Sequence, residues 1–275
     1  MKRRDFIKIA GIGCLGCCCP PGLLVKSANA ATGTRGAASA FPFRLAGLGT
    51  SPFSLSAAGK AYDAQELLAT YDDPEYAKKR RDMYLEIFDA SSVDGILAEM
   101  RVSYEALIPD IPFIGKNNFH LQWVIPNMEK LAEYIVARNY DISADVFSRM
   151  YIKRATYDLL AQPEEDRKMI GQMQFGPVAE TLMRYVAFRS QLKLFPDDYI
   201  LSFVPGDGKN FDWGLDYTQC TNIIVYKKFD ALEVLYPMVC AMDYVAGMTM
   251  RVGYYRTKTL VKGDSICDLR WKWQG

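Results

Sequence analysis

Hydrophobic and polar positions fall at helical period through the first two-thirds of the chain beyond residue 60, and at strand period afterwards. Polar helix formers alternate with apolar positions over residues 63–68 and 73–88. Residues 91–107 form a cleaner amphipathic pattern, with Val93, Ile96, Leu97, Met100, Val102 and Tyr104 at roughly helical spacing. Pro109, Pro112 and Gly115 force a turn. Helix resumes over 118–138, with a break or kink near Pro126, and again over 143–160 behind Ser143 as N-cap. Residues 170–191 give a further helical region that bends at Gly176-Pro177.

The period changes after Phe195-Pro196. Residues 199–204 and 211–218 are short runs rich in aromatic and β-branched side chains, and Gly206-Asp207-Gly208-Lys209-Asn210 between them signals a hairpin. Residues 231–248 return to helix, broken by Pro237 just before Cys240. Two extended runs, 251–260 and 265–273, joined by Val261-Lys262-Gly263-Asp264, close the chain. The order predicts an α+β fold: N-terminal helices, then a four-stranded antiparallel sheet with a helix between the two hairpins. No internal repeat is present, and residues 61–275 read as a single domain.

The first 60 residues change the picture. Lys2-Arg3-Arg4-Asp5-Phe6-Ile7-Lys8 resembles a twin-arginine export signal, with Arg3 and Arg4 as the paired arginines. A modestly apolar run over 9–25 leads to Ala28-Asn29-Ala30, which fits the small-x-small rule and predicts cleavage after Ala30. Pro20, Pro21, the glycines and the short length argue against a stable membrane span. The expected partner is the twin-arginine machinery and the expected location the periplasm, membrane-tethered if the signal is retained. Lipidation at Cys14 or Cys17 is an alternative without a good lipobox. Residues 31–60, rich in Gly, Ala, Ser and Thr, read as a flexible linker.

Charge follows from that division. The whole chain carries +1, but residues 1–30 hold five of its 33 basic residues and one of its 32 acidic ones, so the remainder has 28 against 31 and a net −3. Such a surface lacks the electrostatic footprint of a nucleic-acid binder. Of seven cysteines, Cys14, Cys17, Cys18 and Cys19 leave with the signal. Cys220, Cys240 and Cys267 remain, an odd number that cannot all pair internally.

The chemistry concentrates near the C-terminus. Cys240 and Asp243 are one helical step of three apart and share a face. Alternation over 265–273 puts Cys267 with Leu269, Trp271 and Trp273, and Asp268 with Arg270 and Lys272 on the opposite side. A helix covering the apolar face of that strand would bring Cys240 and Asp243 against Cys267, although the residues alone favour a core position for Cys267. A helix beginning at Cys240 would also lower its thiol pKa. Cys220 ends its run on the parity of Asp212 and Asp216, away from the apolar side. His120, the only histidine, follows Asn117-Asn118-Phe119 and reads as a capping or surface residue, which argues against a His-rich zinc site or a Ser-His-Asp triad.

Several blocks together resemble the L-2-amino-thiazoline-4-carboxylic acid hydrolase family: Asp216-Tyr217-Thr218-Gln219-Cys220, Cys240-Ala241-Met242-Asp243, Arg256-Thr257-Lys258-Thr259-Leu260 and Gly263-Asp264-Ser265-Ile266-Cys267-Asp268-Leu269-Arg270. The Pro-rich block over 107–117 is similar too, with Gly115-Lys116 where a second glycine is expected. The resemblance spans about residues 91–273 and implies hydrolysis of a small cyclic amidine or amide-like C–N bond. It implies Cys240 as nucleophile, Asp243 as acid/base, Cys267 and Asp268 as further catalytic residues, and Arg256 or Arg270 gripping a substrate carboxylate. The alternative is a periplasmic metal-binding or small-ligand-binding protein in which Cys220, Cys240 and Cys267 hold zinc or copper. Cys-x-x-Asp followed by Cys is also similar, over a few residues, to organomercurial lyases, whose thiolates hold the metal while the acid protonates the leaving carbon.

Overall fold

The computed structural model describes residues 61–275; the predicted export signal over 1–30, its predicted cleavage site and the linker predicted over 31–60 lie outside them. Two short helices open the fold, α1 (Ala64–Tyr71) and α2 (Pro74–Tyr84). Each is capped by an aspartate, Asp63 or Asp73, whose carboxylate accepts from the first free N–H groups. In α3 (Val93–Leu107) the buried stripe is Val93, Ile96, Met100, Tyr104 and Leu107. Val102, expected on that stripe, is 63% exposed, because it falls between the rows that steps of three and four define.

Helix α4 (Leu121–Ala137) is the spine of the molecule and runs on through Pro126 without ending there. From Val124 onward almost every residue is buried, including Asn127, Glu129, Lys130 and Glu133. Ser143 caps α5 (Ala144–Leu160) as expected, its Oγ accepting from Val146 N–H at 3.3 Å. The region read as one bent helix over 170–191 is two, α6 (Glu164–Met173) and α7 (Pro177–Gln191), since Pro177 suits a helix start and not a helix interior.

The four strands are β1 (Ile200–Pro205), β2 (Trp213–Gln219), β3 (Val252–Tyr255) and β4 (Cys267–Trp273), all antiparallel in the order β1-β2-β4-β3. Helix α8 (Thr221–Lys228), a π-helix (Leu235–Cys240) and α9 (Met242–Thr249) lie between the two hairpins. Pro237 therefore does not break a helix. It sits within the widened turn, where Ala241 N–H reaches back five residues to the Tyr236 carbonyl at 3.1 Å. The strand expected over 251–260 stops at Tyr255, and residues 256–264 fold back as a loop that ends in a helical turn and Gly263 at φ 94°.

Register places Trp213 opposite Trp271, Leu215 opposite Leu269 and Tyr217 opposite Cys267, all on the face turned to the helices. The Trp213 and Trp271 rings stack with centroids 4.3 Å apart. Gly214 opposite Arg270 and Asp216 opposite Asp268 form the other face. One hydrophobic core runs from Tyr71 in α1 to Trp271 in β4. Helix α9 closes on β3 at Gly247, where a Cβ would come within 2.9 Å of the Val252 carbonyl. No described helix is long and apolar enough to cross a membrane.

Among the helices lies a buried ionic network. Glu133 accepts from Arg80 Nε at 2.8 Å, Tyr71 at 3.1 Å, Tyr84 at 2.8 Å and Tyr151. Glu129 accepts from Tyr76 at 3.1 Å, and burial raises its carboxyl to about 7 despite Arg80 nearby. Arg80 also lies 3.4 Å over the Tyr71 ring.

Candidate functional site

A half-enclosed cavity of about 150 Å³ lies where the apolar face of the sheet meets α4, α7 and α9. Cys220, Cys240, Cys267, Asp243 and Arg256 all line it. Strand alternation delivers Cys267, Leu269 and Trp271 to its ceiling, as the sequence predicts. The turn from the π-helix into α9 delivers Cys240 and Asp243 to one side. Cys220, expected to point away, lines the cavity because β2 ends before it and the chain turns into α8, with Cys220 as N-cap.

Asp243 and Arg256 form the charged pair of the site. Arg256 Nη1 donates to Asp243 Oδ2 at 3.3 Å and Nη2 to the Cys240 carbonyl at 2.8 Å, so one guanidinium ties both candidate groups. The arginine side chain is only 4% exposed and lies among the rings of Tyr236, Tyr244 and Tyr254. Tyr254 OH also donates to Asp243 Oδ2, at 3.2 Å. Desolvation lowers the pKa of Arg256, but these neighbouring groups outweigh it and hold the guanidinium charged.

Burial pushes two of the thiols, Cys220 and Cys240, up. Cys220 rises to about 12, with N–H groups of Ile223 and Asn222 offsetting burial only in part. Cys240 rises further: Arg256 opposes the shift, while the charges of Cys220, Asp243 and Cys267 reinforce it. The expected activation by a helix N-terminus is thus overturned, since Cys240 ends the π-helix inside the protein instead of opening α9 at its surface. Cys267 Sγ accepts from Leu260 N–H at 3.2 Å and sits 3.4 Å from Thr259 Oγ1. All three thiols are free of disulfides.

Two expected residues lie elsewhere. Asp268 points to the far face, where its carboxylate accepts from Thr257 N–H at 2.8 Å, from Lys258 N–H and from Thr257 Oγ1, tying down the loop after β3. Arg270 pairs with Asp216 at 2.7 Å on that same face, so of the two arginines only Arg256 reaches the cavity. The alternation that separates Asp268 and Arg270 from Cys267 already contains this result.

Sequence reasoning passed over Asn127 and Asn222 and read His120 as a capping or surface residue. His120 is 4% exposed, stacks on Tyr199 with centroids 4.3 Å apart, and holds Nε2 3.3 Å from Tyr217 OH. It stands at the N-cap position of α4, as read, but inside the protein and without a side-chain cap bond: Asn118, bonded to both Asp198 and the Ile114 carbonyl, accepts from its backbone N–H and seats it in the cavity wall. Burial, with Arg189 adding to it, lowers its imidazole to about 3 and keeps it neutral. Burial likewise raises Asp198 to about 6.

Among the described residues no three His, Cys, Asp or Glu side chains stand together as a metal-holding group, while Cys220, Cys240 and Cys267 all line the cavity. No protein-family model, curated protein or solved structure matches the chain.

Proposed function

We propose that the chain is an exported hydrolase that opens the C–N bond of a small cyclic amidine or amide-like substrate, as the resemblance to the thiazoline-carboxylate hydrolases implies. The observation that carries this reading is the meeting of Cys240, Asp243 and Cys267 on one cavity, with Arg256 bridging the first two. In the proposed sequence Cys240 Sγ bonds to the substrate carbon as its proton passes to the Asp243 carboxylate. Asp243 returns that proton to the departing nitrogen as the C–N bond breaks. Water then attacks the thioester or thioimidate carbon, giving a proton back to sulfur as the S–C bond breaks. A thiol kept protonated by burial suits an attack in which deprotonation accompanies bond formation. Arg256, fully engaged with Asp243 and Cys240, orients these groups and is less suited to gripping a substrate carboxylate.

Turnover of cyclic amidines and lactams by the purified protein, with a covalent adduct trapped at Cys240, tests this reading. Cys240→Ala should abolish turnover and Asp243→Asn should lower it by about 10²–10⁴-fold; undiminished turnover in Cys240→Ala sinks it. The competing reading, a thiolate metal-binding or small-ligand-binding protein, draws on the same three thiols. It predicts stoichiometric zinc or copper in the protein isolated from the periplasm and loss of stability on chelation. Export by the twin-arginine route rests on residues 1–30, and an Arg3→Lys/Arg4→Lys variant should stay in the cytoplasm.

A further inference from the structure

The wall of the cavity also carries buried polar groups that the proposed chemistry does not use. Asn222, 5% exposed, lines the cavity, and its carboxamide has no hydrogen-bond partner among the described residues at either end. Asn127, 4% exposed, lines it too. Lys130 Nζ donates to Asn127 Oδ1 at 3.2 Å, and an ammonium can only donate, so this bond fixes the amide with its Nδ2–H₂ end away from the lysine. That end donates to no described group. A turn before Asn127, the indole N–H of Trp123, another lining residue, is also unpartnered.

The two helices bring these groups together. Tyr226 OH on α8 donates to the Asn127 carbonyl on α4 at 2.8 Å, and Asn222 lies one turn before Tyr226 on the same face of α8. Buried polar groups without partners are rare in folded proteins, and in a cavity wall the partner they lack comes from what fills the cavity, water or a ligand that displaces it. Among the lining residues the charged ones are Asp243 and Arg256, which pair with each other, and His120 is held neutral. A ligand ion here would meet no uncommitted opposite charge among the lining side chains.

We propose that Asn127 and Asn222 form a recognition pole for a neutral group that presents an acceptor and a donor on adjacent atoms, as the C(=O)–N–H edge of a lactam or cyclic urea does. Asn127 Nδ2 donates to the ligand carbonyl and Asn222 Oδ1 accepts from the ligand N–H. A volume of about 150 Å³ is that of a cavity filled by one small ring. This deepens the hydrolase reading by naming its substrate class: neutral cyclic amides, in place of the carboxylate-bearing ring the family resemblance implies.

The test measures binding apart from turnover. Using the full chain with Cys240→Ala to block chemistry, calorimetry is run with 2-pyrrolidinone, 2-imidazolidinone, cyclopentanone and pyroglutamate. The lactam and cyclic urea should bind, and cyclopentanone, which lacks the N–H, and anionic pyroglutamate should bind at least about tenfold more weakly. Adding Asn222→Leu should weaken the lactam about tenfold or more while leaving the melting temperature equal or higher, because the variant removes an unpartnered amide from the interior. Asn222→Ser provides the same comparison if the leucine variant fails to fold. Equal lactam affinity with and without Asn222, tighter binding of pyroglutamate, or no binding by any neutral ring overturns the proposal. Asn222-dependent lactam binding without turnover by the Cys240 protein upholds the recognition pole and overturns the hydrolase.

Discussion

Removing the Glu133 carboxylate tests the helical half most severely. Its oxygens serve Arg80, Tyr71, Tyr84 and Tyr151 at once, and the Arg80 and Glu133 side chains are 8% and 2% exposed. Glu133→Ala leaves the guanidinium with the Tyr71 carbonyl as its hydrogen-bond partner and strands three phenols. Breaking a buried pair from one side costs about 3–5 kcal/mol and each stranded hydroxyl about 1, so the loss is roughly 6–8 kcal/mol. A domain holds about 5–15 kcal/mol in all, so the variant should be largely unfolded or close to it. Urea unfolding followed by tryptophan fluorescence measures the difference, and Glu133→Gln, which keeps an acceptor, should fall between variant and parent. In an Arg80→Met/Glu133→Leu double variant the ion-pair part of the loss should largely return, since replacing both charges removes the uncompensated one. A loss below about 2 kcal/mol for Glu133→Ala, at unchanged denaturant slope, would refute the argument, because it would mean that water reaches Arg80.

Three further outcomes are expected. His120 titrates near 3 when folded against 6.5 ordinarily, so the unfolded chain takes up a proton that the folded one refuses; stability should be intact above pH 6.5 and fall by about 1.4 kcal/mol per unit below it, and His120→Leu should flatten this slope in acid melts. Alkylation of Cys240 by iodoacetamide should be slow at pH 7.5 and climb about tenfold per pH unit through pH 9, since burial raises its thiol; a plateau below pH 8 would contradict that cause. Asp268→Ala should cost about 1–3 kcal/mol through the three hydrogen bonds it takes from Thr257 and Lys258, without lowering the turnover proposed above, which thermal melts and that assay together check.

Much of the scaffold was legible in the chain. Asp63, Asp73 and Ser143 announce helix starts by a local mechanism, and the Gly206–Asn210 segment turns as its composition dictates. The alternation through Cys267, Leu269 and Trp271 identified the sheet face that carries the site. Cys220 was misplaced because parity was carried one residue past the end of β2. The burial of His120 and Asn222 was not legible for a different reason: nothing local marks a polar residue as buried when its burial comes from Tyr199, Tyr217 and α4, distant in sequence. The charges on α4 carried a readable signal, since Glu129, Lys130 and Glu133 interrupt an otherwise apolar helix.

The π-helix before Cys240 makes the site sensitive to residue count more than to residue type. Its six residues take one wider turn, closed by the bond from Ala241 N–H to the Tyr236 carbonyl, and Arg256 receives the Cys240 carbonyl where the ladder changes step. Deleting any one of residues 235–239 would let the turn relax to ordinary helix, with Cys240 in nearly the same phase but its carbonyl drawn into the backbone ladder and away from Arg256. Side-chain swaps at those positions leave that carbonyl free. Lineages descended from this chain should therefore tolerate varied letters there but not a gap.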